Sequence, residues 1–233
     1  MSTIRIENAA VRLALGFLLP ACLYLQCGCK PQSNSEVPKQ AASEQVPVQK
    51  PAREQSSEKA VAAIEQYCTK VQTRSGKREP DFVFGASGSS DDRQPQWRKF
   101  SSKAEFEKAF ESEIPDDAAY VWIEEGKIVA ANFTFQSGSG DWANHADYCF
   151  RRDETTARIS SELRTFYGGM LVRRKWEMDS EGLLLKSTEE FLDLKTNTPK
   201  KPDGDFIDKT TPLYHKVAEL PFLSLLDKRE QRP

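Results

Sequence analysis

From Ala119 to Lys195, apolar and polar residues alternate in runs of strand length separated by turn residues. This pattern commits that part of the chain to an antiparallel sheet with one solvated face. The runs are AYVWI, KIVAANFTF, HADYCFRR, TARISSELRTFY, MLVRRKWEM and LLLKSTEEFLDLK. Val129, Ala131, Phe133 and Phe135 are expected on one face of the second run. Ile159, Leu163 and Tyr167 oppose Arg158, Glu162 and Arg164 in the fourth. In the fifth, Met170, Val172, Trp176 and Met178 oppose Arg173, Lys175 and Glu177. Turns fall at Glu125-Gly126, Asp153 to Thr155, Gly168-Gly169 and Asp179 to Gly182. The segments Phe150 to Ser160 and Trp176 to Ser187 look like copies of one hairpin, and two copies are too few for a solenoid.

Two helices are predicted ahead of the sheet. In the first, Val61, Ile64, Cys68 and Val71 recur at helical spacing, with Ser57 as N-cap and Gly76 past the end. In the second, Ser102 to Glu113, Ser102 and Glu105 form a capping box and Phe106, Ala109 and Phe110 share a face. Between the helices, DFVF and QWRKF read as short strands flanking the loop GASGSSDDRQP. That loop lacks the Gly-Lys-Ser/Thr ending of a phosphate loop. The expected fold class is therefore α+β: an antiparallel meander of about six strands packed by one or two N-terminal helices. This order resembles cystatin-like or NTF2-like folds and the half-barrels of lipoprotein carriers, a fold-level likeness that implies no activity. At the C-terminus an apolar segment, Val217 to Leu226, is expected to dock on the domain.

The N-terminus reads as an address. Arg5 and Arg12 precede the uncharged run Leu13 to Leu25, which is too short for a membrane-spanning helix and suits a signal peptide. Gln26-Cys27-Gly28-Cys29 follows. This resembles the processing box of bacterial lipoproteins, with Gly28 and Cys29 matching its last two positions and Gln26 standing where leucine is usual. Leu19-Pro20-Ala21-Cys22 is a second box, behind a shorter apolar run. The resemblance implies a signal peptide at 1–28, lipid on Cys29 and partnership with a membrane through two or three acyl chains. Lys30 after the cysteine favours the outer membrane or periplasmic side. Residues 29–56 carry no aromatic side chain and include Pro31, Pro38, Pro47 and Pro51, so they are expected to be a disordered tether spanning roughly 30 Å. One domain, 57–233, follows.

The sequence carries little catalytic chemistry. There are two histidines, His145 and His215, and a zinc site needs three or four ligands. Asp141, His145 and Asp147 form at most a loose cluster, best read as a surface histidine beside solvated carboxylates. Ser137-Gly-Ser139-Gly is a glycine-rich loop and not a nucleophile elbow. Asp203-Gly-Asp205-Phe-Ile-Asp208 has half the pattern of a calcium loop. Arg151, Arg152, Arg173, Arg174 and Lys175 are expected to be balanced by Glu162, Glu177, Glu189 and Glu190 across strands. No catalytic, cofactor-binding or metal-binding residue is singled out, and no cofactor is expected. With a net charge of -2 the chain lacks the basic excess of a nucleic-acid binder.

If cleavage precedes Cys29, Cys68 and Cys149 are the two thiols left free of lipid, in a compartment that permits disulfides. They are a possible disulfide pair; two buried free thiols are the alternative. The expectation for function is an exported, lipid-anchored, non-enzymatic module that binds a protein, a wall component or an apolar ligand. The alternative is a hydrolase using carboxylates or an unrecognised triad.

Overall fold

The computed structural model describes residues 52–87, 95–111, 115–202, 206 and 210–226. The expected signal peptide, Cys29, nearly all of the tether and all of the calcium-like motif except Phe206 lie outside the described residues. The fold is α+β with eight antiparallel strands. They are β1 Phe82–Ser87, β2 Gln96–Phe100, β3 Asp117–Glu124, β4 Lys127–Gln136, β5 Trp142–Phe150, β6 Thr156–Thr165, β7 Met170–Met178 and β8 Leu184–Asp193. The sheet order is β2-β1-β3-β4-β5-β6-β7-β8. The expected six strands form the meander β3 to β8. The count rises to eight because the two short runs, read as flanking a loop, pair with each other and extend the same sheet along β3.

Helix α1, Ala52–Ser75, begins before the expected Ser57 cap, so Ala52 to Ser56 of the expected tether are helical. Of the expected stripe, Ile64, Cys68 and Val71 are buried and Val61 is half-buried. Helix α2, Lys103–Ala109, is shorter than expected and ends at Phe110. Ser102 caps it, accepting the Glu105 backbone N–H at 3.1 Å. The Glu105 carboxylate reaches back one residue further than a standard capping box and accepts the Ser101 N–H at 2.7 Å. Gly85, read as a loop residue, lies in β1 beneath this helix, and a Cβ there would stand 2.8 Å from Phe106 and 2.9 Å from Phe110. The glycine is what lets two aromatic rings approach the strand.

One face of the sheet is sealed by the C-terminal segment. Val217, Leu220, Phe222 and Leu226 are buried against Phe84, Phe133, Tyr148, Phe150 and Ile159. Docking on the domain is thus observed. Asp117 opens β3 on this face and lies near Tyr214. Burial, with the neighbouring Asp116 charge, pushes its carboxyl up to about 6. A raised carboxyl favours folding while protonated, so its contribution is complete below the unfolded value near 4 and is lost as pH rises through about 6. Asp117→Asn is expected to stabilise the protein at pH 7.5 by about 1 kcal/mol, discounted for its partial exposure, and to leave stability at pH 4 unchanged. Urea denaturation at the two pH values checks this.

α1 lies across the other face, near the ends of the strands. Successive turns of the helix meet successive strands: Lys175 Nζ of β7 stands 3.2 Å from Glu65, Cys68 faces Cys149 of β5, and Arg74 pairs with Glu124 of β3 at 2.7 Å. Small residues under the helix, Ala130 and Ala157, allow close packing. Val129 also packs here, not beside Ala131 and Phe133 as the alternation suggests. A bulge opposite Trp122 and Ile123 inserts one residue and turns its side chain over. The two look-alike hairpins, β5–β6 and β7–β8, each carry a register shift just before the turn. In both, the turn aspartate accepts backbone N–H groups, Asp153 from Thr155 and Asp179 from Glu181 and Leu183.

Candidate functional site: a groove along helix α1

Because α1 covers only the turn end of the face, its flank and the uncovered strands make a step. Three depressions lie on this face, the first and third against the helix and the second on the strands alone. The first, about 500 Å3, lies between Ser57, Glu58, Ala62 and Glu65 of α1 and Glu177, Leu185 and Lys186 of the sheet. The second, about 390 Å3, is floored by His145, Asp147, Ser160, Glu162, Arg173 and Glu190. The third, about 300 Å3, lies beside Gln72 and Gly76 and is lined by Trp122 and Asn132. Lys175 borders the first two, and Asp147 borders the last two. They therefore lie side by side in a row across β4 to β8, a grooved surface of roughly 19 Å at strand spacing.

The floor of the groove is polar and already organised. Asn132 Nδ2 donates to Asp147 at 2.8 Å, and Thr134 Oγ1 and His145 Nδ1 are 3.1 Å apart. Glu162 receives Arg164 at 2.8 Å and Arg173 at 3.0 Å. Burial pushes the Glu162 carboxyl up, but these two guanidinium groups outweigh it and hold the carboxyl below its ordinary range. The expected balance of charges across strands is therefore seen for Glu162. Arg174 is on the opposite face, paired with Glu189 at 2.5 Å, because neighbouring strand residues point to opposite sides. Arg151 is half-buried and donates to the carbonyls of Thr156 and Asp179, so it belongs to a turn and not to a basic patch. Asp141 bonds to Ser139 within its own loop, away from His145 and Asp147. Among the described residues no group of three or more His, Cys, Asp or Glu is placed to hold a metal ion. No helix among them is long and apolar enough to cross a membrane.

Glu177 departs from its expected role as a solvated balancing charge. Its side chain is 1% exposed, and neither carboxyl oxygen receives an N–H or O–H from a described residue. Its neighbour is the Glu65 carboxyl. Lys175 and Arg158 turn to Glu65 instead, at 3.2 and 3.3 Å, and Lys175 stays 3.9 Å from Glu177. Burial and the hydrogen bond with Glu65 raise the Glu177 carboxyl, against Lys175 and Lys186. Burial also pushes Glu65 up, but its bonds from Lys175 and Glu177 and the nearby Arg158 hold it low. The two carboxyls are thus shifted in opposite directions, Glu177 toward the neutral form and Glu65 toward the charged one. An unpaired buried carboxylate costs several kcal/mol, which is the physical reason for the upward shift. The alternation in the sequence placed Glu177 on the polar face; nothing local told that α1 would cover it.

Cys68 and Cys149 meet with sulfurs 2.15 Å apart and Cα atoms 5.8 Å apart, at disulfide-bonding distance. Of the two alternatives left open by the sequence, the pairing is the one the structure displays. Comparison with family models, with curated proteins and with solved structures gave no match.

Proposed function

We propose that this is an exported protein, anchored by lipid on Cys29, whose domain is a non-enzymatic module that holds an extended polar ligand of the cell wall in the groove along α1. The observation that carries the binding site is the groove itself. It crosses five strands, and its floor offers carboxylate, amide, hydroxyl and guanidinium groups. Trp122 adds an aromatic surface at one end. A glycan strand, long and rich in hydroxyl and amide groups, has the matching chemistry. An apolar ligand is less suited, since the apolar face of the sheet is filled by Phe222 and its neighbours. Of the resemblances at fold level, we favour the cystatin-like one, a helix that precedes a meander and packs across it. The cysteine pair supports an oxidising compartment outside the cytosol.

Hydrolysis by the Glu65–Glu177 pair is the second reading, favoured by the opposite directions in which the two carboxyls are shifted. The direct bond between them argues against it. Glycosidases keep their two carboxyls roughly 5–9 Å apart, with room for the sugar or water between.

One set of experiments tests both halves. Palmitate is expected to label the wild-type chain and not Cys29→Ala. The purified full chain is expected to sediment with peptidoglycan sacculi, and D147A/R173A to bind at least about tenfold more weakly (~1.4 kcal/mol) with an unchanged unfolding midpoint. Sedimentation that is absent, or indifferent to the double substitution, removes the groove. Release of soluble reducing ends from the sacculi overturns the non-enzymatic reading.

A further inference from the structure

We infer that the first depression of the groove is a receptor for a primary ammonium group of the ligand, taken up between Glu177 and Glu65. The inference rests on the groove reading and deepens it. Glu177 is an almost fully buried carboxyl whose two oxygens accept no N–H from a described residue, on the wall of an opening of about 500 Å3. The cations nearest to it are committed elsewhere: Lys175 and Arg158 are directed at Glu65, and Arg158 also donates to Gln72 at 2.8 Å. Glu58 stands two turns before Glu65 on the same flank and borders the same opening. Lys186 closes it on the β8 side. Every element around the pair is thereby named: α1 presents Glu58 and Glu65, β6 Arg158, β7 Lys175 and β8 Lys186.

An ammonium group fits this arrangement for two reasons. It has three donors, enough for both carboxyls and one further acceptor, where an alcohol or a secondary amide has one. It also brings a positive charge to a pair in which burial holds Glu177 back from ionising. Where the pair holds a proton, binding sends it to solvent. The pair goes from one negative charge to two, and the ammonium adds one positive charge, so charge and protons balance. Affinity should therefore rise with pH across the range in which the pair loses its proton.

Wall polymers offer such a group from two sources, a deacetylated amino sugar or a free side-chain amine of a peptide. Calorimetric titration of the full chain separates them, using a glucosamine tetrasaccharide and a lysine-containing peptide, each with its N-acetylated counterpart. In at least one arm the free amine is expected to bind at least about tenfold tighter than the acetylated form, with an enthalpy that varies with the buffer's ionisation enthalpy. E177Q is expected to shrink that preference to within about twofold. E65Q, at a half-exposed position, should do the same and stands in if the buried variant fails to fold. Equal binding of amine and acetylated forms overturns the ammonium site and leaves the groove standing. A preference that survives both variants also overturns it. No binding by any of the four probes removes the site and the groove together.

Discussion

Replacing Cys68 and Cys149 together by alanine is expected to lower the unfolding free energy by about 4 kcal/mol. The two residues are 81 positions apart, and a loop of that length gives about 4.5 kcal/mol in the chain-entropy account. The effect is large here because little else holds α1. Its buried apolar stripe is short, Ile64, Cys68 and Val71. Tyr67 adds one hydrogen bond, to the Phe150 carbonyl at 2.8 Å, the buried Arg158 adds another, to Gln72 at 2.8 Å, and the Arg74 and Lys175 ion pairs are exposed and worth little each. Alanine is the right replacement, since both sulfurs are buried and serine would bury a hydroxyl. Urea denaturation of the oxidised wild type, the reduced wild type and the double variant measures the loss. Hydrogen exchange should place it: amides of α1 exchange faster after reduction, while those of β4 to β6 stay protected. Equal stability of oxidised and reduced protein would dispose of the bridge as a structural element. The groove depends on it too, because one wall is the helix that the bridge pins down.

The meander was legible because a period of two leaves no second way to bury Phe133, Tyr148 and Ile159 together. The cysteine pair was only half legible: Cys68 lies on a helix's apolar stripe and Cys149 on a strand that a packed helix can reach, which allows a bridge and equally two buried thiols. What the pattern could not carry was any effect of one element on another. Val129 follows the alternation on paper, but the bulge beside it costs one residue of register. Gly85 reads as loop because glycine and serine follow it; its reason for being glycine is α2, twenty residues on. Glu177 alternates correctly onto the polar face, and whether that face is wet or covered depends on where a helix more than a hundred residues earlier comes to rest. The groove is a property of that same crossing and so has no motif. Its residues, Asn132, Asp147, Arg173 and Lys175, each look like an ordinary solvated strand position.

Phe222→Ala is expected to cost about 4 kcal/mol, near the upper range for removing a buried aromatic ring. Phe222 is fully buried, stacks on Phe84 with centroids 4.1 Å apart, and meets Trp97 and Phe133 at 5.5 and 5.6 Å. It sits where the rings of β1, β2 and β4 converge, so the hole left by alanine has walls in three strands and little freedom to collapse. The segment is also tied to the sheet by hydrogen bonds: Thr156 Oγ1 to the Tyr214 carbonyl at 2.6 Å, the Thr156 N–H to the His215 carbonyl at 2.8 Å, and the Val217 N–H to the Glu154 carbonyl at 2.9 Å. These lie before the ring in sequence and hold residues 214–217, so the variant should loosen the stretch from Leu220 to Leu226 first. Two outcomes follow: the urea midpoint falls, and a fluorescent apolar dye binds the uncovered face of Phe133 and Tyr148 below that midpoint. A loss under about 1 kcal/mol with no dye binding would mean that the C-terminal segment does not seal the sheet. The apolar face would then be free for a ligand, and the case for the opposite, polar face as the binding surface would lose its strongest contrast.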